Sequence, residues 1–81
     1  PAIYECLQFI KQNLQPGPLQ PIKQQASELL AQKGFKIDYV EIADTSSLEL
    51  IHTWNGRQSL TALIAAFLGE IRLIDNTILT P

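Results

Sequence analysis

Proline, glycine and proline at positions 16–18 cut the first third of this 81-residue chain into two segments that no single regular element can join. Proline has no amide donor and restricts the residue before it. Upstream, Ile3, Leu7, Ile10 and Leu14 recur at spacings of four, three and four, which is one face of an amphipathic helix. Gln8, Lys11, Gln12 and Gln15 supply its wet side. Downstream, a second helix begins near Leu19 or Gln20, with Pro21 in the first turn, where an amide would be unpaired anyway. Ile22, Ala26, Leu29 and Leu30 form its apolar face, and Gln20, Gln24 and Gln25 read as solvated surface. Gly34 follows Lys33 and suits the left-handed position after a helix, from which Phe35 can pack on Leu30. The spacing predicts a helical hairpin with a proline-stiffened loop.

The remainder reads less uniformly. Ile37, Tyr39, Val40 and Ile42 favour a strand over 36–43, with an alternation imperfect enough to predict partial cover on both faces. Asp44-Thr45-Ser46-Ser47 is a turn and capping cluster. Ser46 followed by Glu49 has capping-box spacing and predicts a short helix through about Ile51. Asn55-Gly56 marks a further turn. Leu60, Leu63, Ile64, Phe67 and Leu68 match helical spacing, and Ala62, Ala65 and Ala66 agree with it. Against that, Gly69-Glu70 fits a two-residue type II′ hairpin loop that sets Leu68 opposite Ile71 and Ala66 opposite Leu73. Periodicity alone favours the helix.

Several function classes are disfavoured. The 46% apolar and 17% charged content is that of a globular domain, and the length suffices for one core of roughly 3–5 kcal/mol. The six Lys and Arg residues are scattered in a chain of net charge −2, so nothing suggests nucleic-acid binding. The longest apolar run, 60–68, is too short to cross a bilayer of about 30 Å as a helix, so no membrane partner is expected. The single Cys6 falls in a helical apolar pattern, as a core residue would in the reducing cytoplasm. No glycine-rich phosphate loop is present. His52 lacks partners at zinc-ligand spacing, although Asp44 and Glu49 are near in sequence, and reads as a loop histidine. Ser46, Ser47 and Ser59 are explained as cap and turn residues rather than nucleophiles. Trp54 is either an anchor for its turn or a contact to another domain, and both readings stay open. Arg72, Asp75 and Asn76 read as a salt bridge and strand-end hydrogen bonds rather than as catalytic groups. No catalytic, cofactor-binding or metal residue is assigned. With no methionine and a start at Pro1 within a helical pattern, the chain is expected to be part of a longer protein.

Two segments carry a resemblance. Gly34-Phe35-Lys36-Ile37-Asp38-Tyr39-Val40-Glu41-Ile42-Ala43-Asp44 and Leu63-Ile64-Ala65-Ala66-Phe67-Leu68-Gly69-Glu70-Ile71-Arg72-Leu73-Ile74-Asp75-Asn76 resemble, in order and separation, the C-terminal domain of the pantothenate synthetase (pantoate–β-alanine ligase) family. The resemblance covers nearly the whole chain, and the segment ending in Arg72-Leu73-Ile74-Asp75-Asn76 is its more specific part. It implies an ATP-dependent, AMP-forming ligase that joins pantoate and β-alanine through a pantoyl-adenylate, with magnesium accompanying the ATP. It implies a missing N-terminal nucleotidyltransferase domain that holds the nucleotide motifs and pantoate, and through which the whole protein forms a homodimer. Residues 1–81 would be its hinged C-terminal lid, inactive and monomeric alone.

The resemblance further implies a β-hairpin over 60–74, so strands are expected there against the periodicity. The expected fold is α+β: a two-helix hairpin plus a short helix, packed on a small three-stranded antiparallel sheet. In that hairpin Leu63, Ala65, Phe67 and Ile74 share one face, and Ile64, Ala66, Leu68, Ile71 and Leu73 the other; two short helices leave one face for the missing domain. Some relatives carry a cytidylate kinase domain, and an end at Thr80-Pro81 is compatible with such a link. The rival expectations are an interaction module and a self-associating domain whose hairpin pairs with its copy.

Overall fold

A computed structural model describes residues 1–80 of the chain. The link expected at Thr80-Pro81 falls on Pro81, outside the described residues. Helix α1 (Ala2–Asn13) buries Ile3, Cys6, Leu7 and Ile10, and helix α2 (Gln20–Gln32) buries Ile22, Lys23, Ala26 and Leu30. Pro21 occupies the first turn of α2 as expected. That helix closes with Gly34 at φ +90°, the Gly34 amide donating to Ala31 O and the Phe35 amide to Leu30 O. These two bonds satisfy carbonyls that a helix end otherwise leaves open. Between the helices, β1 (Gly17–Pro18) pairs antiparallel with β3 (Thr53–Trp54) in a two-residue ribbon. The Leu19 amide donates to His52 O at 2.9 Å and fastens the start of α2 to the same loop.

The main sheet is antiparallel and three-stranded, in the order β2 (Lys36–Asp44), β4 (Leu60–Leu68), β5 (Ile71–Ile78). Leu68 faces Ile71 and Ala66 faces Leu73, and Gly69 alone of the loop pair has positive φ, at +63°. Positive φ at the first loop residue only is the type II′ pattern. The helical spacing of residues 60–68 is therefore overridden. Flanked by β2 and β5, β4 fully buries Leu60, Ala62, Ile64, Ala65 and Ala66. Its face away from the helices carries Leu63, Ala65 and Phe67, so apolar residues fall on both sides and no polar–apolar alternation reveals the strand.

The helices cover one face of this sheet. Leu60, Ala62, Ile64 and Ala66 of β4 join Val40 and Ile42 of β2 and the helix stripes in one core. Each fully buried leucine or isoleucine here contributes about 1.5–3 kcal/mol. In β2, Ile37 pairs with Ala66 but Tyr39 pairs with Ala65, so Asp38 is an extra, bulged residue. The bulge resets the alternation, so that Ile37 faces the core together with Val40 and Ile42. This is the origin of the imperfect pattern in the sequence.

One expected element is absent. Among the described residues there are two helices, and none spans 46–51. Asp44 Oδ1 accepts the amides of Ser46 and Ser47, both at 2.9 Å, and Ser47 Oγ, not Ser46 Oγ, accepts the Glu49 amide. A carboxylate two residues upstream thus takes the amides that a helix cap would organise. The chain then turns through Leu48 at φ +63°, and Leu50 bridges back to Ala43. The three-stranded sheet and the helix pair stand as expected; the short helix is replaced by this turn.

Candidate functional site

The residues singled out by sequence do not converge. Cys6 is buried, its thiol donating to Ala26 O at 3.4 Å, and burial pushes its pKa up against the opposing influence of Lys33. A thiol so placed is a core group, not a nucleophile. His52 is exposed, and its contribution is the backbone carbonyl that receives Leu19. Trp54 is half-buried against the core, with Nε1 donating to Gln58 O at 3.0 Å, which fits the anchor reading. Arg72 pairs with Asp38, Nε at 3.1 Å and a guanidinium amine at 2.9 Å from Oδ2, while Asp75 accepts its neighbour Asn76's amide. Arg72 lies opposite Phe67 on β5, so this pair reaches over the central strand to the bulge of β2.

Two polar features were not read from the sequence. Lys23 rises from α2, and its Nζ lies 3.1 Å from Glu41 Oε1. Glu41 pairs with Leu63, which puts it on the face away from the helices, so the lysine wraps the free edge of β2. Hydroxyls of Thr61, Thr45, Ser59 and Thr80 form a chain at 2.8, 3.0 and 3.2 Å, and Thr80 Oγ1 accepts the Leu60 amide at 3.1 Å. Only the paired spacing of small hydroxyl residues hints at it. Nearby, Asp44 accepts from the Ser47 amide, the Gln58 side chain and the Ser46 amide, which hold its carboxyl below the usual carboxylate range.

What remains is the sheet face turned away from the helices. Tyr39, Glu41, Ala43 and Leu63 floor a shallow groove of about 390 Å³, with Leu48 and Leu50 as its wall. Leu48 is 66% exposed and Leu50 50%, while Ile74 and Ile78 extend the apolar surface across β5 at 58% and 53%. Arg72 and Asn76 alternate with these isoleucines on the same face, so polar groups interrupt the apolar surface. Among the described residues, no three His, Cys, Asp or Glu side chains converge as metal ligands, and no helix is long and apolar enough to cross a membrane.

The family model described as pantoate-beta-alanine ligase matches residues 1–78. The chain belongs to the pantoate–β-alanine ligase family. Curated relatives named pantothenate synthetase include those of Laribacter hongkongensis, 40% identical over 78 residues, and Chromobacterium violaceum, 38% identical over 78 residues. Each alignment covers 94% of this chain and 27% of the relative. That of Aeromonas hydrophila is 33% identical over 82 residues, covering 99% of this chain and 28% of the relative. The chain thus spans little more than a quarter of the length of these ligase-family relatives.

Proposed function

We propose that this chain is the C-terminal lid of an ATP-dependent ligase that makes pantothenate from pantoate and β-alanine, in the cytoplasm. The observation that carries the reading is the family match over nearly the whole chain against only 27–28% of its relatives' length. On this reading the catalytic and nucleotide-binding groups lie in the remaining part of the enzyme, through which the whole protein dimerises, and the isolated lid is monomeric. The pantoate carboxylate attacks the α-phosphorus of ATP, pyrophosphate leaves, and a pantoyl-adenylate forms. The amine of β-alanine then attacks the acyl carbon, and AMP departs with the bond electrons as a proton is lost from nitrogen. Magnesium would neutralise phosphate charge in the first step; among the described residues no three His, Cys, Asp or Glu side chains converge to hold it.

The domain's contribution is exclusion. An acyl adenylate is open to hydrolysis until the amine arrives, and closing a cover over it keeps water away and strengthens the electrostatics beneath. A cover needs a body that moves as a unit, and two helices packed on a sheet through one continuous core provide that. The test is an ATP titration of the 81-residue chain followed by amide NMR, beside an assay of pantothenate formation. The expected outcome is neither localised saturable shifts nor product from the chain alone, with activity from the longer polypeptide. Micromolar ATP binding by the chain alone would refute this assignment of roles.

A further inference from the structure

The helices cover their side of the sheet unevenly. On that side of β4, Ile64 and Ala66 are fully buried. Leu73 lies opposite Ala66 and Ile71 opposite Leu68, so both point the same way, yet Leu73 is 39% exposed and Ile71 66%. Cover returns beyond the far end of β5, where Leu79 is buried in the core. The bare strip meets the start of α1. There Pro1, Ala2 and Tyr4 line a groove of about 240 Å³ together with Phe35, Leu73 and Asp75. Tyr4 is more than half exposed at its rim. No side-chain hydrogen bond caps α1, and Pro1 at its N-cap has no polar group to offer one. The helix therefore starts on a largely apolar notch that its own residues neither fill nor cap.

We propose that the residues immediately upstream of Pro1 in the longer polypeptide seat an apolar side chain in this groove and complete the helix-side layer of the core. The proposal rests on the functional reading above only in taking chain to precede Pro1. The matched region is 27% of a relative's length, so such relatives are more than three times as long. Position fixes the occupant. Consecutive Cα atoms lie about 3.8 Å apart, so the residue before Pro1 stands at the rim whatever its side chain. Covalent attachment holds this segment at an effective concentration of about the millimolar range, so one buried side chain suffices to keep it in place. The consequence concerns the lid. With these residues packed between α1 and β5, the rigid body begins before Pro1, and the hinge on which it swings lies further upstream.

The test is amide hydrogen–deuterium exchange on the longer polypeptide that carries this chain. In the wild type, amides just upstream of Pro1 should exchange at least about tenfold more slowly than in an unstructured chain, the factor that burying one leucine-sized side chain supports. Leu73→Asn and, separately, Tyr4→Gln should each abolish most of that protection. Both side chains are partly exposed, so the fold should survive, and retained protection at Ile64 in the central strand reports that it does. Leu48→Asn, outside the groove, is the control and should leave the upstream amides unchanged. Upstream amides that exchange at the unstructured rate in the wild type overturn the proposal. So does protection that neither groove variant lowers while Ile64 stays protected, or an equal loss in the control. If Leu73→Asn exposes Ile64 as well, Tyr4→Gln alone decides. A longer polypeptide that shows the expected pattern but makes no pantothenate overturns the functional reading and leaves this proposal standing. A native polypeptide that begins at Pro1 overturns both.

Discussion

Replacing Gly69 with residues of opposite handedness separates backbone conformation from packing. Gly69 sits at φ +63° in the β4–β5 loop, and a Cβ built there meets no heavy atom within 4 Å. No clash or cavity enters, so the whole effect is conformational. An L-alanine at such a φ costs about 1–2 kcal/mol. Valine should cost more, because its branched side chain is stiff about χ1. D-alanine prefers the mirror-image region, so it fits the native turn and restricts the unfolded chain, a gain of about 0.4–1 kcal/mol. In a domain of this size 1 kcal/mol shifts the melting point by about 4–8 °C. Gly69→Ala should therefore melt several degrees lower than the parent, Gly69→Val lower again, and the synthetic D-alanine protein slightly higher. Urea and thermal unfolding by far-UV circular dichroism would measure all four. If the L- and D-alanine proteins unfold together, or Gly69→Val keeps the parent's midpoint, the assigned turn is wrong.

Lys23→Met should destabilise by about 1.5–3 kcal/mol, the range of a hydrogen bond to a charged group, with a smaller loss for Glu41→Gln; a urea midpoint within error of the parent would contradict the edge-wrapping role. Asp44 has a folded pKa lowered by the Ser47 amide, the Gln58 side chain and the Ser46 amide. Its contribution to stability is thus present above its unfolded value of about 3.9 and lost as pH falls through the lower folded value, so Asp44→Asn should flatten that acid limb in pH-dependent melts. Cys6 should resist a thiol reagent in the folded chain and react at a rate that follows unfolding, since burial raises its pKa and covers it; rapid labelling without denaturant would show the α1–α2 seam to be open. Arg72→Ala should cost no more than about 1 kcal/mol in urea, because both partners of its pair with Asp38 are some 40% exposed.

The parts of the fold that were legible in the sequence are those governed by local rules. Pro16, Pro18, Pro21 and Gly34 act through φ and missing amides, and the helices begin and end where these residues dictate. Gly69-Glu70 announces its turn for the same reason. What was illegible depends on partners distant in sequence. Residues 60–68 form a strand because β2 and β5 flank them, a condition invisible in a window that reads as helix. The 46–51 helix fails because Asp44 competes for the same amides as Ser46, and nothing in the capping-box spacing reveals which acceptor wins. The exposed face was foreseeable as surplus apolar residues on two faces of a hairpin, but not its Leu48 and Leu50 wall, which exists only because that helix does not form.

The extra residue in β2 also bears on how related chains are compared. Asp38 makes the segment between the Gly34 cap and Val40 one residue longer than its partner strand requires. Removing that single residue would leave Ile37 opposite Ala66 in a regular strand, still facing the core, and would leave Arg72 without its carboxylate, whereas removing two would turn Ile37 outward. Insertions and deletions at this point should therefore be counted by parity, as in a reading frame, and an odd change between two homologues would mean that one of them has straightened the strand.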